Sequence, residues 1–454
     1  LFPYTTLFRS GSYATSGQTE GQHDYTVSGV DAAGNESPQS AAETVDIDLT
    51  GPGVTGVTPS GTVGSTVSSI VVDYNDTNGH GMWVSTVEDA ANYGLVSSGG
   101  DGTFGDGNEV DFSVNIQDPL GYLAGGGGAG AATATISPDL TDGHYQLTID
   151  GTSTVRDLAG NALNDGADET AEFTVDAVAP TVSVDLQAGS DTGQDDDNLT
   201  NAQTLIYDVT VNEPGLVSID WDGDGAVDPE DVVDSSVAAA GTTQFTVVGL
   251  PEGLQQVGVT FTDTASNTAT ASDPTIIDRT GPTVEAFDPT VGVTTDSITT
   301  IDVDFFDANT MDTTTVKDTN NYVLVASGGD GTFADGNETN VSDLITSVSY
   351  DSVDQVATLN LVGPLPDSHY QLTVDGTTTI LDAAGNALND GADETSTFIV
   401  DTSGPPTVTV DLQDGSDTGV SNSDDLTNAT DLTYDVDVDE RGVLEIDWED
   451  DGTV

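Results

Sequence analysis

The residues best placed for chemistry are carboxylates, and one run of them has the spacing of oxygen ligands for a hard cation. Asp220-Trp221-Asp222-Gly223-Asp224-Gly225-Ala226-Val227-Asp228-Pro229-Glu230-Asp231 puts acidic side chains at loop positions 1, 3, 5, 9 and 12, with Gly at 6 and Val at 8. This is the pattern of a twelve-residue calcium loop of the EF-hand or dockerin type, in which Gly allows a sharp bend and alternate oxygens converge on one ion. The candidate ligands are Asp220, Asp222, Asp224, Asp228 and Asp231. Asp231 is a shorter arm than the Glu usual at position 12, and Leu216-Val217-Ser218-Ile219 before the loop reads as a strand, not a helix. A second copy starts with Asp447, Glu449 and Asp451. Asp-Gly pairs also make hairpin turns in their own right, so a polar β-hairpin turn is the alternative reading.

A second set of acids recurs at fixed points. Asp31-Ala32-Ala33-Gly34-Asn35 precedes Asp48 and Pro52, and Asp157-Leu158-Ala159-Gly160-Asn161 precedes Asp176 and Pro180. Asp263-Thr264-Ala265-Ser266-Asn267 precedes Asp278 and Pro282, and Asp382-Ala383-Ala384-Gly385-Asn386 precedes Asp401 and Pro405. Gly and Asn tolerate positive φ and Asp bonds its own downstream backbone, so each signal is a tight turn. The Pro that follows donates no N–H and biases the residue before it to extended geometry, which reads as a stiff linker. Asp157, Asp263 and Asp382 therefore lie one strand upstream of the linker acids Asp176, Asp278 and Asp401. An antiparallel return would gather them near one end of a module, with the acidic loop Asp191–Asp197 of the next module, as ligands for calcium. Against this, Asp suits turns and linkers anyway.

Other residues carry less. His144 and His369 stand alone at strand entrances, which suits a surface role. Gly99-Gly100-Asp101-Gly102-Thr103-Phe104 has Phe where a calcium β-roll nonapeptide has Asp, and reads as a turn. The Gly125–Gly130 run lacks the Lys-Ser/Thr of a phosphate loop and reads as a loop insertion. Trp221 and Trp448 read as packing or loop-anchoring residues. No Ser nucleophile comes with a plausible base, and the carboxylates are spread over repeated turns rather than paired at a cleft. No enzyme activity is expected.

The elements that position these residues are strands. Thr181–Leu186, Ile206–Val211, Gln244–Val248, Val257–Thr262 and Tyr145–Ile149 alternate apolar and polar, the signature of half-buried β structure. Turn-rich gaps separate them at the spacing of a β-sandwich. Only around Thr86–Tyr93 and Thr313–Tyr322 is a short helical turn expected. Two module types alternate. Type A spans 51–179 and 282–404, sharing Ser98–Phe104 with Ser327–Phe333, His144–Thr148 with His369–Thr373, and Asn161–Thr170 with Asn386–Thr395. Type B is whole at 180–281, with its C-terminal part at 11–50 and its N-terminal part at 405–454. Residues 1–10 resemble the translation of a common sequencing adapter and are set aside. The chain is thus expected to be a fragment, truncated at both ends, of tandem independent domains.

With 454 residues, 79 acidic against 5 basic, and a net charge of -74, the chain repels itself, so folding should depend on salt or bound cations. Nucleic acid and anionic membrane are poor partners. An apolar content of 35% in strand-sized clusters separates it from a disordered acidic tail. The absence of Cys excludes a disulfide framework, and no stretch is long and apolar enough for a transmembrane helix.

These modules resemble bacterial immunoglobulin-like domains of very large surface or secreted proteins. The matching parts in type A are Asn92-Tyr93-Gly94-Leu95-Val96, Gly99–Phe104, Leu140–Thr148 and Asp157–Asn161. In type B they are Ser190-Asp191-Thr192-Gly193, Leu199-Thr200-Asn201, Asp220–Gly225 and Asp263–Asn267. The resemblance implies an all-β tandem array of sandwiches serving as the stalk of an adhesin-type protein, extracellular or at the cell surface. It also implies stiffening by calcium, often with the ion fixing domain junctions, and often export by type I secretion. The partners implied are neighbouring modules, calcium and an unknown distal ligand. A different expectation is accessory modules of a secreted polysaccharide-active enzyme, although only three Trp and 6% aromatics disfavour direct glycan recognition.

Overall fold

The computed structural model describes residues 11–77, 79–152, 154–194, 196–377, 379–421, 423–439 and 443–447. Among the described residues strands make up 45% and helix 7%, so the fold is nearly all β. Two compact units take up the chain: Leu1–Asp185, Asp208–Phe245 and Val257–Asp273 in one, Leu186–Tyr207, Thr246–Gln256 and Pro274–Val454 in the other.

In the first unit, period-two alternation turns one face of each strand inward. Tyr145, Leu147 and Ile149 of the Gly143–Ile149 strand are buried while the residues between them are only half-buried. That strand pairs with Glu169–Val175 on one side and Tyr93–Ser97 on the other, and Gly61–Val63 and Val110–Asp111 complete a five-stranded sheet. Opposite it lie Gly53–Thr58, Val67–Asn75, Ala129–Leu140 and Gly121–Ala124. One apolar core joins the sheets: Ile70, Val72 and Tyr74 from the four-stranded one, Leu95, Leu147 and Phe173 from the five-stranded one. A sandwich is the result.

The second unit repeats this plan. Val293–Thr294, Glu394–Val400, Ser368–Val374, Tyr322–Ala326 and Thr339–Asn340 form five strands, and Thr283–Asp288, Thr300–Phe306, Val356–Leu361 and Ile345–Asp351 form four. Val303, Leu359 and Leu372 lie in its core. Between residues 182 and 277, Val182–Leu186, Thr204–Val211 and Gly241–Val248 form one sheet. Leu199–Thr200, Thr268–Ile277, Gly253–Asp263, Gly215–Asp220 and Val232–Val237 form the other. Near the two ends, Gly21–Tyr25 pairs with Glu43–Ile47, and Val408–Leu412 with Tyr434–Val438.

Three features position the acids. A two- or three-residue strand runs parallel to the last strand of each module: Gly61–Val63 beside Phe173–Val175, Leu199–Thr200 beside Ile276–Ile277, Val293–Thr294 beside Ile399–Val400. Short helices form at Val84–Val87 and Thr313–Val316, each followed by a 3-10 turn, where the sequence expects helical turns. The glycine run is a hairpin turn between Gly121–Ala124 and Ala129–Leu140, and its last residue, Gly130, already belongs to a strand. Gly128 accepts from Asp76 N–H at 3.0 Å, and a Cβ there would meet the Asp76 carbonyl oxygen at 2.1 Å. The run is therefore what lets the Asp76 backbone approach.

Leu372, fully buried in the second core, should lose about 2–5 kcal/mol of stability on Leu372→Ala. Val362, 69% exposed, should stay within about 0.5 kcal/mol on Val362→Ala. Chemical denaturation of both variants checks the assignment of inside and outside.

Candidate metal centres at the linkers

Each Asp-x-x-x-Asn turn is built alike. Asp263 Oδ1 accepts from Ala265 N–H and Asn267 N–H, both at 2.8 Å, while Oδ2 accepts from Asn267 Nδ2 at 2.8 Å. Asp31, Asp157 and Asp382 hold Asn35, Asn161 and Asn386 through the same pair of oxygens. The carboxylate thereby fixes the plane of the Asn carboxamide, and the second Nδ2 hydrogen is aimed outward.

What it meets is the preceding linker. Asn267 Nδ2 donates to the Asp176 carbonyl at 2.7 Å, Asn386 Nδ2 to the Asp278 carbonyl at 3.0 Å, and Asn161 Nδ2 to the Asp48 carbonyl at 3.2 Å. The amide side of the linker Asp is also held. Asp176 N–H donates to Val63 at 2.9 Å and Asp278 N–H to Thr200 at 2.8 Å, at the ends of the short parallel strands. One residue is thus bonded backward to its own module and forward to the next.

The side chain of that residue enters an acidic group. Ligand oxygens of Asp48, Asp76 and Asp157 lie within 4.8 Å of one another, as do those of Asp176, Glu213 and Asp263, and those of Asp278, Asp307 and Asp382. In the last group all three residues are buried, at 5%, 5% and 1% exposure. Burial pushes the Asp382 carboxyl up to about 6, with Asp307 and Asp278 adding repulsion against its Asn386 bonds. Asp307 is raised by burial and by the Asp278 charge. Glu213 is raised by burial and by Asp176 and Asp263, and Asp176 by burial and by Asp263. No Lys or Arg pairs with the Asp278, Asp307 and Asp382 carboxylates among the described residues. The neighbouring Arg279 guanidinium turns away to the Leu250 and Ala202 carbonyls. Part of each set is spent on protein donors: Asp307 Oδ1 accepts from Asn309 and Thr310 N–H, and Asp278 Oδ2 from Asn309 Nδ2. An all-oxygen, all-carboxylate set on a rigid frame fits a hard divalent cation such as calcium, with carbonyls or water completing its shell.

The Asp220–Asp231 loop joins the antiparallel strands Gly215–Asp220 and Val232–Val237, so its frame is a β-hairpin. Asp220, Asp222 and Asp224 converge within 4.8 Å. Asp228 lies outside that group but close enough that, besides desolvation, Asp224, Glu230 and Asp222 raise its carboxyl. Asp231 caps the loop instead, accepting from Trp221 N–H at 3.2 Å and Asp228 N–H at 2.8 Å. Trp221 is fully buried and donates Nε1–H to the Glu230 carbonyl, anchoring the hairpin. Asp447 is described, whereas Trp448, Glu449 and Asp451 lie outside the described residues.

The turn acids Asp157, Asp263 and Asp382 do meet linker acids, but those of the preceding linker: Asp48, Asp176 and Asp278. Asp157 and Asp176 belong to different groups. Asp401 enters none among the described residues; its N–H bonds Thr294 and its carboxylate accepts from Ser403 N–H. Among the described residues the Asp191–Asp197 loop joins no group either. Instead Thr192 Oγ1 donates to the Ala384 carbonyl at 2.8 Å, beside the Asp382 turn. Sequence reasoning missed Asp48, Asp76, Glu213 and Asp307 as members of these acidic groups, and the Asn residues as linker donors. The available signal was an acid at the end of the second long strand in each module: Asn75-Asp76, Asn212-Glu213 and Phe306-Asp307.

Residues 178–279 match the family model described as Bacterial Ig-like domain. A search of curated proteins gives no match. Among solved structures, the chain is similar to a tetra-tandem repeat in the extending region of a large adhesion protein. The identity is 20%, over 85% of this chain and 82% of that one, with a TM-score of 0.27. It is also similar to the I9-I11 tandem from titin, at 11% identity over 75% of this chain and 95% of that one, with a TM-score of 0.20. The human Desmocollin-1 ectodomain follows at 10% identity, 82% and 62% coverage and a TM-score of 0.21. Similarities of this size carry no argument about function.

Asn386→Ala removes the donor to the Asp278 carbonyl and leaves Asp382 Oδ2 without its carboxamide. A loss of about 1–3 kcal/mol is expected in chemical denaturation. Proteolysis at residues 278–282 should accelerate in the same variant.

Proposed function

We propose that this chain is a stalk or extender segment of a large secreted or cell-surface bacterial adhesin-like protein, stiffened by calcium. One observation carries the reading: at Asp48, Asp176 and Asp278 the linker acid meets two carboxylates of the following module, while its carbonyl is held by that module's Asn. An array that only needed spacing would have no use for a linker held in this way. The protein's work is then mechanical. Sandwiches supply length, Pro-containing linkers limit backbone freedom, and the Asn bonds set the direction in which each module leaves the last. The family match over residues 178–279 favours a bacterial Ig-like setting.

Calcium, when bound, supplies the positive charge that lets three carboxylates stay ionised side by side. Asp278, Asp307 and Asp382 would hold it at one linker, Asp176, Glu213 and Asp263 at another, and Asp48, Asp76 and Asp157 at the third. Asp220, Asp222 and Asp224 would hold it in the hairpin loop. The extracellular setting accords with this chemistry, since calcium there is abundant enough for weak sites to fill. No helix among the described residues is long and apolar enough to cross a membrane.

With dissociation constants of about 10⁻⁴ M and calcium near ~10 mM, each filled site stabilises its module by about 2–3 kcal/mol. The melting temperature should therefore fall when calcium is chelated, and solution scattering should report a less extended chain. Asp382→Asn should blunt the response at its linker. A melting temperature and a scattering profile both indifferent to chelator would remove calcium from the reading.

A further inference from the structure

We propose a second class of cation site, apart from the linker groups: the Ser-Asp-Thr-Gly loop, with Asp191 and Asp197 as its acidic ligands, repeated at Asp417 and Asp424. The observation behind it is a buried carboxylate oxygen with nothing to accept from. Asp191 is 7% exposed and Asp417 5% exposed, and in both the Oδ1 atom is sealed from solvent without a hydrogen-bond partner. The other oxygen is used. Asp191 Oδ2 accepts from Asp196 N–H at 2.7 Å, and Asp417 Oδ2 from Asp424 and Asp425 N–H.

The scaffold around that oxygen is the same in both copies. Thr200 Oγ1 donates to the Ser190 carbonyl and Thr427 Oγ1 to the Ser416 carbonyl, both at 2.6 Å. Asn201 N–H and Asn428 N–H donate to Thr192 and Thr418 Oγ1. Asp197 Oδ1 accepts from Leu199 N–H and Asp424 Oδ1 from Leu426 N–H, which leaves one oxygen of each for a ligand. The segment between Gly193 and Asp197 is one residue shorter than that between Gly419 and Asp424, and its composition differs. The two acids stay in register across that change.

A proton on Oδ1 would exchange an unmatched acceptor for an unmatched donor. A hard cation satisfies the oxygen and also offsets the Asp197 charge that bears on Asp191. The arrangement is intrinsic to the loop. At Asp191 the loop rests on the next module, where Gly193 lies so close that a Cβ would meet the Ala383 carbonyl oxygen at 2.0 Å. At Asp417 no such turn lies against it among the described residues, yet the buried oxygen recurs. A cation in the first copy would therefore also order the surface that receives the Asp382 turn.

The test is equilibrium dialysis of the full chain against calcium alone, counting bound ions. Asp191→Asn with Asp417→Asn should bind two fewer ions than the parent. Asp197→Asn with Asp424→Asn, which alters only exposed side chains, should show the same loss and covers the case in which the buried variants do not fold. A folded variant of either pair that binds as many ions as the parent overturns the proposal. An unchanged count after Asp382→Asn would instead count against the linker sites, so the two readings fail separately.

Discussion

The backbone of the linker Asp is the constraint from which the rest of the arrangement follows. Its N–H ends the hydrogen bonding of one module and its carbonyl begins that of the next. Two bonds on one residue leave the linker backbone little freedom beyond what the following Pro already removes. The forward bond exists only because the Asp of the turn fixes the Asn carboxamide, so the turn is a holder for a donor as much as a change of direction.

The same constraint creates an electrostatic problem. Holding the linker backbone against the next module brings its side chain within a few ångströms of two further carboxylates, in a chain that already carries a net charge of -74. Repulsion between like charges grows as water is excluded, which is why the buried group around Asp382 shows it most plainly. Backbone bonds hold the acids together and their charges push them apart. A divalent cation would reconcile the two, and this balance is the physical content of the proposed stalk.

The strands were legible because period-two alternation is local: Thr181–Leu186 and Tyr145–Ile149 need only their own residues to be recognised. The Asp-x-x-x-Asn turn was legible for the same reason. Which linker that turn faces was not, because Asn161 and Asp48, or Asn386 and Asp278, meet only after the whole sandwich has closed between them. Turn spacing carries no information about which end of the sandwich a turn occupies. Asp307 and Glu213 stayed hidden behind the ordinary look of an acid after a strand. In the Asp220 loop, the alternate spacing of Asp220, Asp222 and Asp224 matches their convergence in the structure. Asp231 goes instead to the Trp221 and Asp228 N–H groups, backbone donors whose positions depend on how the whole hairpin closes rather than on ligand spacing.

The short parallel strand has a consequence for load. Gly61–Val63 sits near the entry of the chain into its sandwich, and Phe173–Val175 is its exit, running the same way alongside. Tension on the two termini drags these segments in opposite directions along a common axis. Their rungs are then sheared together instead of unzipping in succession, so a pairing only a few residues long resists pulling as one unit.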